Sequence, residues 1–202
     1  MVNMGDRLEC TAGGYTASTH YARAKRKLPE TDDVAIRGAF TMTVVFDLPA
    51  DFYSRSVSYL RFMNTDNYPA KMKSTGATVG ALSADEWRVG FLMYNSDRLP
   101  RLQSDHEGRS KITLWTGASP LPVGRTTVTV KFNPSQTATG SYEVWMNGVQ
   151  VGGANNVQTV PSTLDPSEVV VTRVVGGIDG AAQQVGQPIT VSLRSLVFTA
   201  FR

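Results

Sequence analysis

The sequence predicts an all-β protein, a two-sheet antiparallel β-sandwich, on three observations. Apolar residues recur with a period of two almost wherever a pattern can be read, which is the alternation of a strand rather than the 3.6-residue repeat of a helix. Gly, Pro, Asn and Ser punctuate the chain between these stretches, where turns need them. No helices alternate with the strands, so a layered α/β fold is excluded in favour of a sandwich or barrel. With 202 residues, 41% hydrophobic and 18% charged, the chain is long and apolar enough for one sizeable core. We read residues 1–202 as a single domain, with residues 1–36 as an N-terminal arm or irregular segment.

The first stretch with chemistry of its own is "RAKRK" at 23–27, within "STHYARAKRKLP". Ser18 or Thr19 could cap a short basic helix that Pro29 stops, but no apolar stripe runs along it, and an extended arm is the equal alternative. In "FTMTVVFDLP", Phe40, Met42, Val44 and Phe46 line one face and Thr41 and Thr43 the other, until Pro49 ends the strand. "SVSYLRFM" and "EWRVGFLMY" are apolar on both faces, as in strands covered on two sides. "KITLW", "TTVTVKF", "SYEVWMNGVQV", "EVVVTRVVGG" and "ITVSLRSLVFTAF" bring the strand count to at least eight. Within "SYEVWMNGVQV", Asn147-Gly148 predicts a type I′ hairpin, because both central residues of that turn take positive φ. In the last strand Ile189, Val191 and Leu193 share a phase that Leu196 and Phe198 break, which predicts a β-bulge near Arg194 and Ser195.

Composition removes several kinds of chemistry. Cys10 is the sole cysteine, so the chain can form no internal disulfide and no cysteine-based metal site. The N-terminal residues lack a secretory signal pattern, and no apolar run is long enough for a membrane span. Neither His20 nor His106 has a Gly-x-Ser-x-Gly elbow to work with, and the glycine clusters lack the lysine and helix of a nucleotide-binding loop. We expect no nucleotide partner. The formal charge is +3, with "RAKRK" as a local basic patch. Such a patch is either a solvated surface or a contact for nucleic acid, anionic glycan or a membrane surface; little aromatic residue is interleaved to stack bases.

Three segments, in order, resemble a known family. "AFTMTVVFDLP" resembles the opening strand of laminin G-like domains, "SYEVWMNGVQV" their later hairpin and "ITVSLRSLVFTAF" their closing strand. The resemblance spans about residues 39–201 and implies a concanavalin A-like jelly roll, with one concave sheet that in this superfamily often carries a carbohydrate site. The glucanases of the superfamily carry alternating acidic residues on one strand. Here the nearest acidic pairs, Asp32-Asp33 and Asp85-Glu86, are adjacent and point apart, so a glycosidase of that kind is not expected.

A polysaccharide lyase needs a cation to neutralise a uronate carboxylate and a base near the C5 proton. "RLQSDHEGRSK" supplies His106, Arg109 and Lys111, while Arg88 and Tyr94 share one face of their strand. The alginate lyases of this fold carry a glutamine and a histidine separated by one residue, whereas Gln103 and His106 have two between them. For metal, Asn64, Asp66, Asn95 and Asp97 are loop oxygen donors of the kind calcium prefers, and turn formation accounts for them equally well.

Aromatic residues remain. Strand parity sets Trp115 beside Lys111 and Thr113, and Trp145 beside Glu143 and Asn147, on the faces opposite their strands' apolar sets; Trp87 goes with Val89 and Phe91. Trp115 and Trp145 are therefore candidates for stacking a sugar ring, with Asn147, Glu143, Arg88 and Tyr94 as hydrogen-bonding partners, against the alternative of burial beneath a loop. The function expected from the sequence is a non-catalytic glycan-recognition domain in an extracellular or surface-exposed setting, requiring no cofactor. A lyase for a uronate-containing polymer and a virion or surface structural protein are the alternatives, and a homo-oligomer would be compatible with each.

Overall fold

A computed structural model describes residues 2–3, 8–12, 19–27, 36–54, 57–65, 87–94, 97–106, 110–163, 170–171, 173–181 and 189–200. Numbered along the chain, its strands are β1 (Val2–Asn3), β2 (Leu8–Ala12), β3 (Thr19–Lys27), β4 (Ile36–Arg37), β5 (Phe40–Leu48), β6 (Val57–Thr65), β7 (Trp87–Tyr94) and β8 (Pro100–His106). They continue as β9 (Ser110–Thr116), β10 (Gly124–Asn133), β11 (Gly140–Met146), β12 (Val149–Val157), β13 (Val170–Val171), β14 (Arg173–Ala181) and β15 (Ile189–Ala200). Sheet A has the order β1-β2-β15-β5-β10-β11-β12 and sheet B the order β3-β14-β6-β7-β8-β9, with β4 and β13 as a short separate ribbon. The described ladders are antiparallel throughout.

Alternation builds the core. Along β5 burial switches at every residue, so Phe40, Met42, Val44, Phe46 and Leu48 point inward and Thr41, Thr43 and Asp47 point out. Val128, Val130 and Phe132 of β10 and Tyr142 and Val144 of β11 complete the inner face of sheet A. Sheet B answers with Leu60, Phe62, Val89, Phe91, Met93 and Leu102. Phe46 stacks on Phe62 across the sandwich at 4.9 Å between ring centres, and each such fully buried side chain contributes about 2 kcal/mol.

One turn and one bulge fall where the sequence puts them. Asn147 and Gly148 take φ of 49° and 81°, the pair of positive values that a type I′ turn needs. Asn147 is also tied down, its Oδ1 accepting from Thr127 N and its own N–H donating to Thr127 O, both at 2.8 Å. In β15 the register with β5 slips between Leu193 and Ser195. The extra residue, Arg194, is thereby free to reach Asp47, with Nε 2.6 Å from Oδ2.

The basic segment is not a helix. Thr19–Lys27 is strand β3, paired along its whole length with β14. Its alternation of small and long residues suits an edge strand, and a helix there would have had no apolar stripe to bury.

Candidate functional site

Sheet B has an outward face that the register defines without ambiguity. On β8, Leu102 belongs to the core, so Arg101, Gln103 and Asp105 are the outward residues. On β7, Val89, Phe91 and Met93 face inward, which leaves Arg88, Gly90, Leu92 and Tyr94 at the outward positions. On β6 the inward residues are Leu60 and Phe62, and the outward positions are Tyr59, Arg61 and Met63.

Hydrogen-bonded neighbours then align these positions in rows across the sheet. One row sets Tyr59 beside Tyr94. The next runs Arg61, Leu92, Arg101, and the one after it Met63, Gly90, Gln103, Thr113. A further row runs Arg88, Asp105, Lys111. The face is sheltered: Leu92 is 9% exposed, and Gln103 and Asp105 are 6% exposed, although all three point away from the core. Gln103 Nε2 donates to Thr113 Oγ1 at 3.1 Å, which fixes the plane of the amide. Gly90, beside Gln103, has no side chain, and a glycine inside a central strand marks a place where another molecule can come close to the backbone.

Arg88, Tyr94 and Lys111 are thus brought onto one face. His106 is not in their company, because it shares strand parity with Leu102 and Ser104. Arg109 lies outside the described residues. Tyr59 and Arg61 are members that the sequence reading missed. "SVSYLRFM" looks apolar on both sides, yet its Tyr-x-Arg spacing was the available signal.

Trp115 is a correction. The register of β9 with β8 slips so that Leu102 faces Trp115 while Gln103 faces Thr113. Leu114 is the extra residue of a bulge, and the bulge turns Trp115 toward the core despite its parity with Thr113. Its indole lies over Phe91 at 6.3 Å and its Nε1 donates to Val151 O of sheet A at 3.2 Å. A β-carbon on Gly152 would lie 2.3 Å from that ring, so glycine is required beneath it. Val151 is itself the extra residue of a bulge in β12. Tyr142 Oη in turn donates to Leu114 O, so the freed carbonyl of each bulge is capped by an aromatic donor from the other sheet. Trp115 closes the sandwich edge.

Trp145 does lie on the outer face of sheet A, in the sheet opposite sheet B's rows. Its Nε1 donates to Glu143 Oε2 at 2.8 Å, and Lys131 Nζ lies 2.8 Å from the same oxygen and 5.6 Å from the ring centre. The hydrogen bonds from Lys131 and then Trp145 hold the Glu143 carboxyl below its ordinary pKa. A shallow depression runs alongside, lined by Lys131, Phe132, Asn133, Ser141, Tyr142 and Glu143. Trp145 and Trp115 therefore do not form one stacking platform, and Asn147 and Glu143 are occupied by Thr127, Lys131 and Trp145.

Of the oxygen donors considered for calcium, Asn64 lies in β6, and Asp66 and Asn95 lie outside the described residues. Asp97 is committed to Arg101, whose Nη1 is 2.9 Å from Oδ1, and to Leu99 N at 3.1 Å. The fold is a two-sheet antiparallel β-sandwich of the jelly-roll kind, as the sequence predicts.

Solved structures place this jelly roll among others. The endo-β-1,4-glucuronan lyase from the fungus Trichoderma reesei matches with a TM-score of 0.64 and 16% identity, over 96% of this chain and 81% of its own. The alginate lyase Aly36B matches at 0.63 and 14%, over 97% and 81%. The alginate lyase vAL-1 from a Chlorella virus matches at 0.60 and 9%, over 100% and 88%. At such identities the likeness is one of fold. No known family's sequence model matches the chain, and no curated protein matches it. The expectation of a non-catalytic recognition domain is overturned, since the jelly rolls that this one follows along nearly its full length are polysaccharide lyases.

Proposed function

We propose that the chain is a polysaccharide lyase that cleaves a uronate-containing polymer on the outward face of sheet B. The observation that carries this reading is the register that puts Tyr59 beside Tyr94 with Arg61 in the adjoining row. The tyrosine positions and the arginine position then stand about 7 Å apart along the strands, the separation of alternate residues. Gln103 and the row of Arg88, Asp105 and Lys111 continue the polar positions from there, Gln103 and Asp105 nearly buried.

β-Elimination makes three demands. A cation or hydrogen-bond donor must neutralise the uronate carboxylate, so that the adjacent C5 proton becomes acidic enough to leave. A base removes that proton, the electron pair forms the C4–C5 double bond, and the C4–O4 bond breaks. An acid then protonates the departing O4. Arg61 and Gln103 suit the first task. Tyrosine is a side chain that can serve as base or acid, and Tyr94 and Tyr59 suit the other two. Lys111 and Arg88 bind the carboxylates of neighbouring sugars. A polymer of this kind is met outside cells, so the enzyme's working place is extracellular or at a cell surface.

The test is incubation of the purified chain with polyglucuronate and with alginate, following the ultraviolet absorbance of the unsaturated uronate product. We expect product from at least one polymer, and its loss in Tyr94→Phe and Arg61→Ala. A folded chain that releases no unsaturated product from either polymer would overturn the reading.

A further inference from the structure

The basic strand at the margin of the same sheet has not been given a role. β3 is the outermost strand of sheet B. Its Arg23, Lys25 and Lys27 stand opposite Gly177, Val175 and Arg173 of β14. Through β14 the first two of these positions continue to Arg61 and Met63 of β6, and the third to Thr65. The intervening Ala22 and Ala24 align with Ile178 and Gly176, and through them with Leu60 and Phe62 of the core. Parity therefore assigns the small residues to the inward side and the cations to the face that carries Arg61 and Tyr59.

We infer that β3 is a rail for the anionic polymer, holding it several sugars away from the reacting bond. One row runs Arg23, Gly177, Arg61, Leu92, Arg101 through five neighbouring strands. At about 4.8 Å between strands the row is about 19 Å long, enough for several sugar units lying across the strands. Gly177 is the register position between Arg23 and Arg61, and a glycine inside a strand suits close approach of a polymer to the sheet. The rows on β3, β14 and β6 hold Arg23, Lys25, Lys27, Arg173 and Arg61 against Asp179. A chain of uronates, with one carboxylate per sugar, has the complementary charge and repeat. Arg26 has the opposite parity, in register with Val174, and is no part of the rail.

The inference rests on the proposed lyase site, and its test separates the two. In steady-state assays, Arg23→Gln/Lys25→Gln/Lys27→Gln should raise KM for long polyuronate roughly tenfold at low salt. The same change should raise KM far less for a trimer too short to reach β3, and should move kcat for the polymer less than KM. The steep loss of affinity with salt that ion release gives a polyanion complex should flatten in the triple variant. Arg26→Gln, on the same strand, should leave all these quantities in place. Gel retardation by polyuronate, by dextran and by duplex DNA makes the test independent of catalysis. Retardation by polyuronate that the triple variant abolishes supports the rail even if no product is ever formed. Equal KM in the triple variant and the parent overturns it, and so does DNA retardation as strong as that by polyuronate.

Discussion

On the outer face of sheet A, acidic groups sit beside cations: Asp47 lies between Arg125 and Arg194, and Glu143 holds Lys131 and Trp145. Between them the hydroxyls of Thr43 and Thr129 meet across β5 and β10 at 3.3 Å. The outward positions of sheet B are set differently, with arginine, lysine and tyrosine in successive rows and aspartate only at Asp105 and Asp179 among the rows described above. Both faces follow from the same two-residue alternation. One pairs its acids with cations; on the other, Arg101 is paired with Asp97, and arginine and lysine recur at neighbouring register positions, the pattern on which the proposed polyanion site rests. Stability alone explains the first; the proposed lyase reading accounts for the second by a polyanionic ligand.

That contrast can be broken at five places. The largest effect is expected at Arg61→Ala, which should lower kcat/KM on a uronate polymer about 100-fold or more, the usual loss when a transition-state charge partner is removed. Lys131→Ala on the other face should change the same constant less than twofold, and equal losses would mean that the two faces do not divide the work. Next is Trp115→Ala, which should cost about 3 kcal/mol in urea unfolding, the lower end for loss of a large aromatic from a core, because Trp115 is only half-buried. Had Trp115 been a sugar platform, it would have cost affinity and left stability unchanged.

Smaller again is Gly148→Ala, about 1 kcal/mol by thermal unfolding, because φ of 81° is a left-handed value that alanine resists. The smallest is Asp47→Asn, at most about 1 kcal/mol at neutral pH for a partly exposed ion pair. Its pH dependence has a definite sign. Burial alone would raise the Asp47 carboxyl, but hydrogen bonds from Arg194 and Arg125 outweigh it and hold the group below its ordinary value. Its contribution is therefore complete above the unfolded carboxylate range, about pH 4, and fades as pH falls through the native value. Unfolding followed from pH 7 downward should show a shallower acid decline in Asp47→Asn than in the parent, with added salt narrowing the gap.

Much of the fold was legible because it is local. The alternation of Phe40, Met42, Val44 and Phe46, the Asn147-Gly148 turn and the phase break at Arg194 each lie within a few residues of chain. What stayed hidden depends on pairing between distant segments. The face of Trp115 was assigned by parity within "KITLW", and the slip against β8 that reverses it exists only in the pair. "THYARAKRK" carries the period of a strand, but its significance comes from β14 and β6, more than thirty residues away. The candidate site was partly legible: Arg88, Tyr94 and Lys111 were chosen from their own segments, whereas Tyr59 and Arg61 join them only through the register of β6 with β7. His106 drew attention by its residue type, and its strand parity separates it from that group.

The clasp of Trp115 and Tyr142 also bears on how the molecule meets its own copies. β9 and β12 are the outermost strands at one side of the sandwich, and an open strand margin is a template on which other chains can pair and aggregate. Here each margin is kinked by a bulge, at Leu114 and at Val151, and the carbonyl displaced by each kink already accepts a hydrogen bond from an aromatic side chain of the opposite sheet. A foreign strand arriving at either margin would find the ladder interrupted and an acceptor taken. The feature that deprives Trp115 of a sugar thus gives the protein a built-in defence of its solubility.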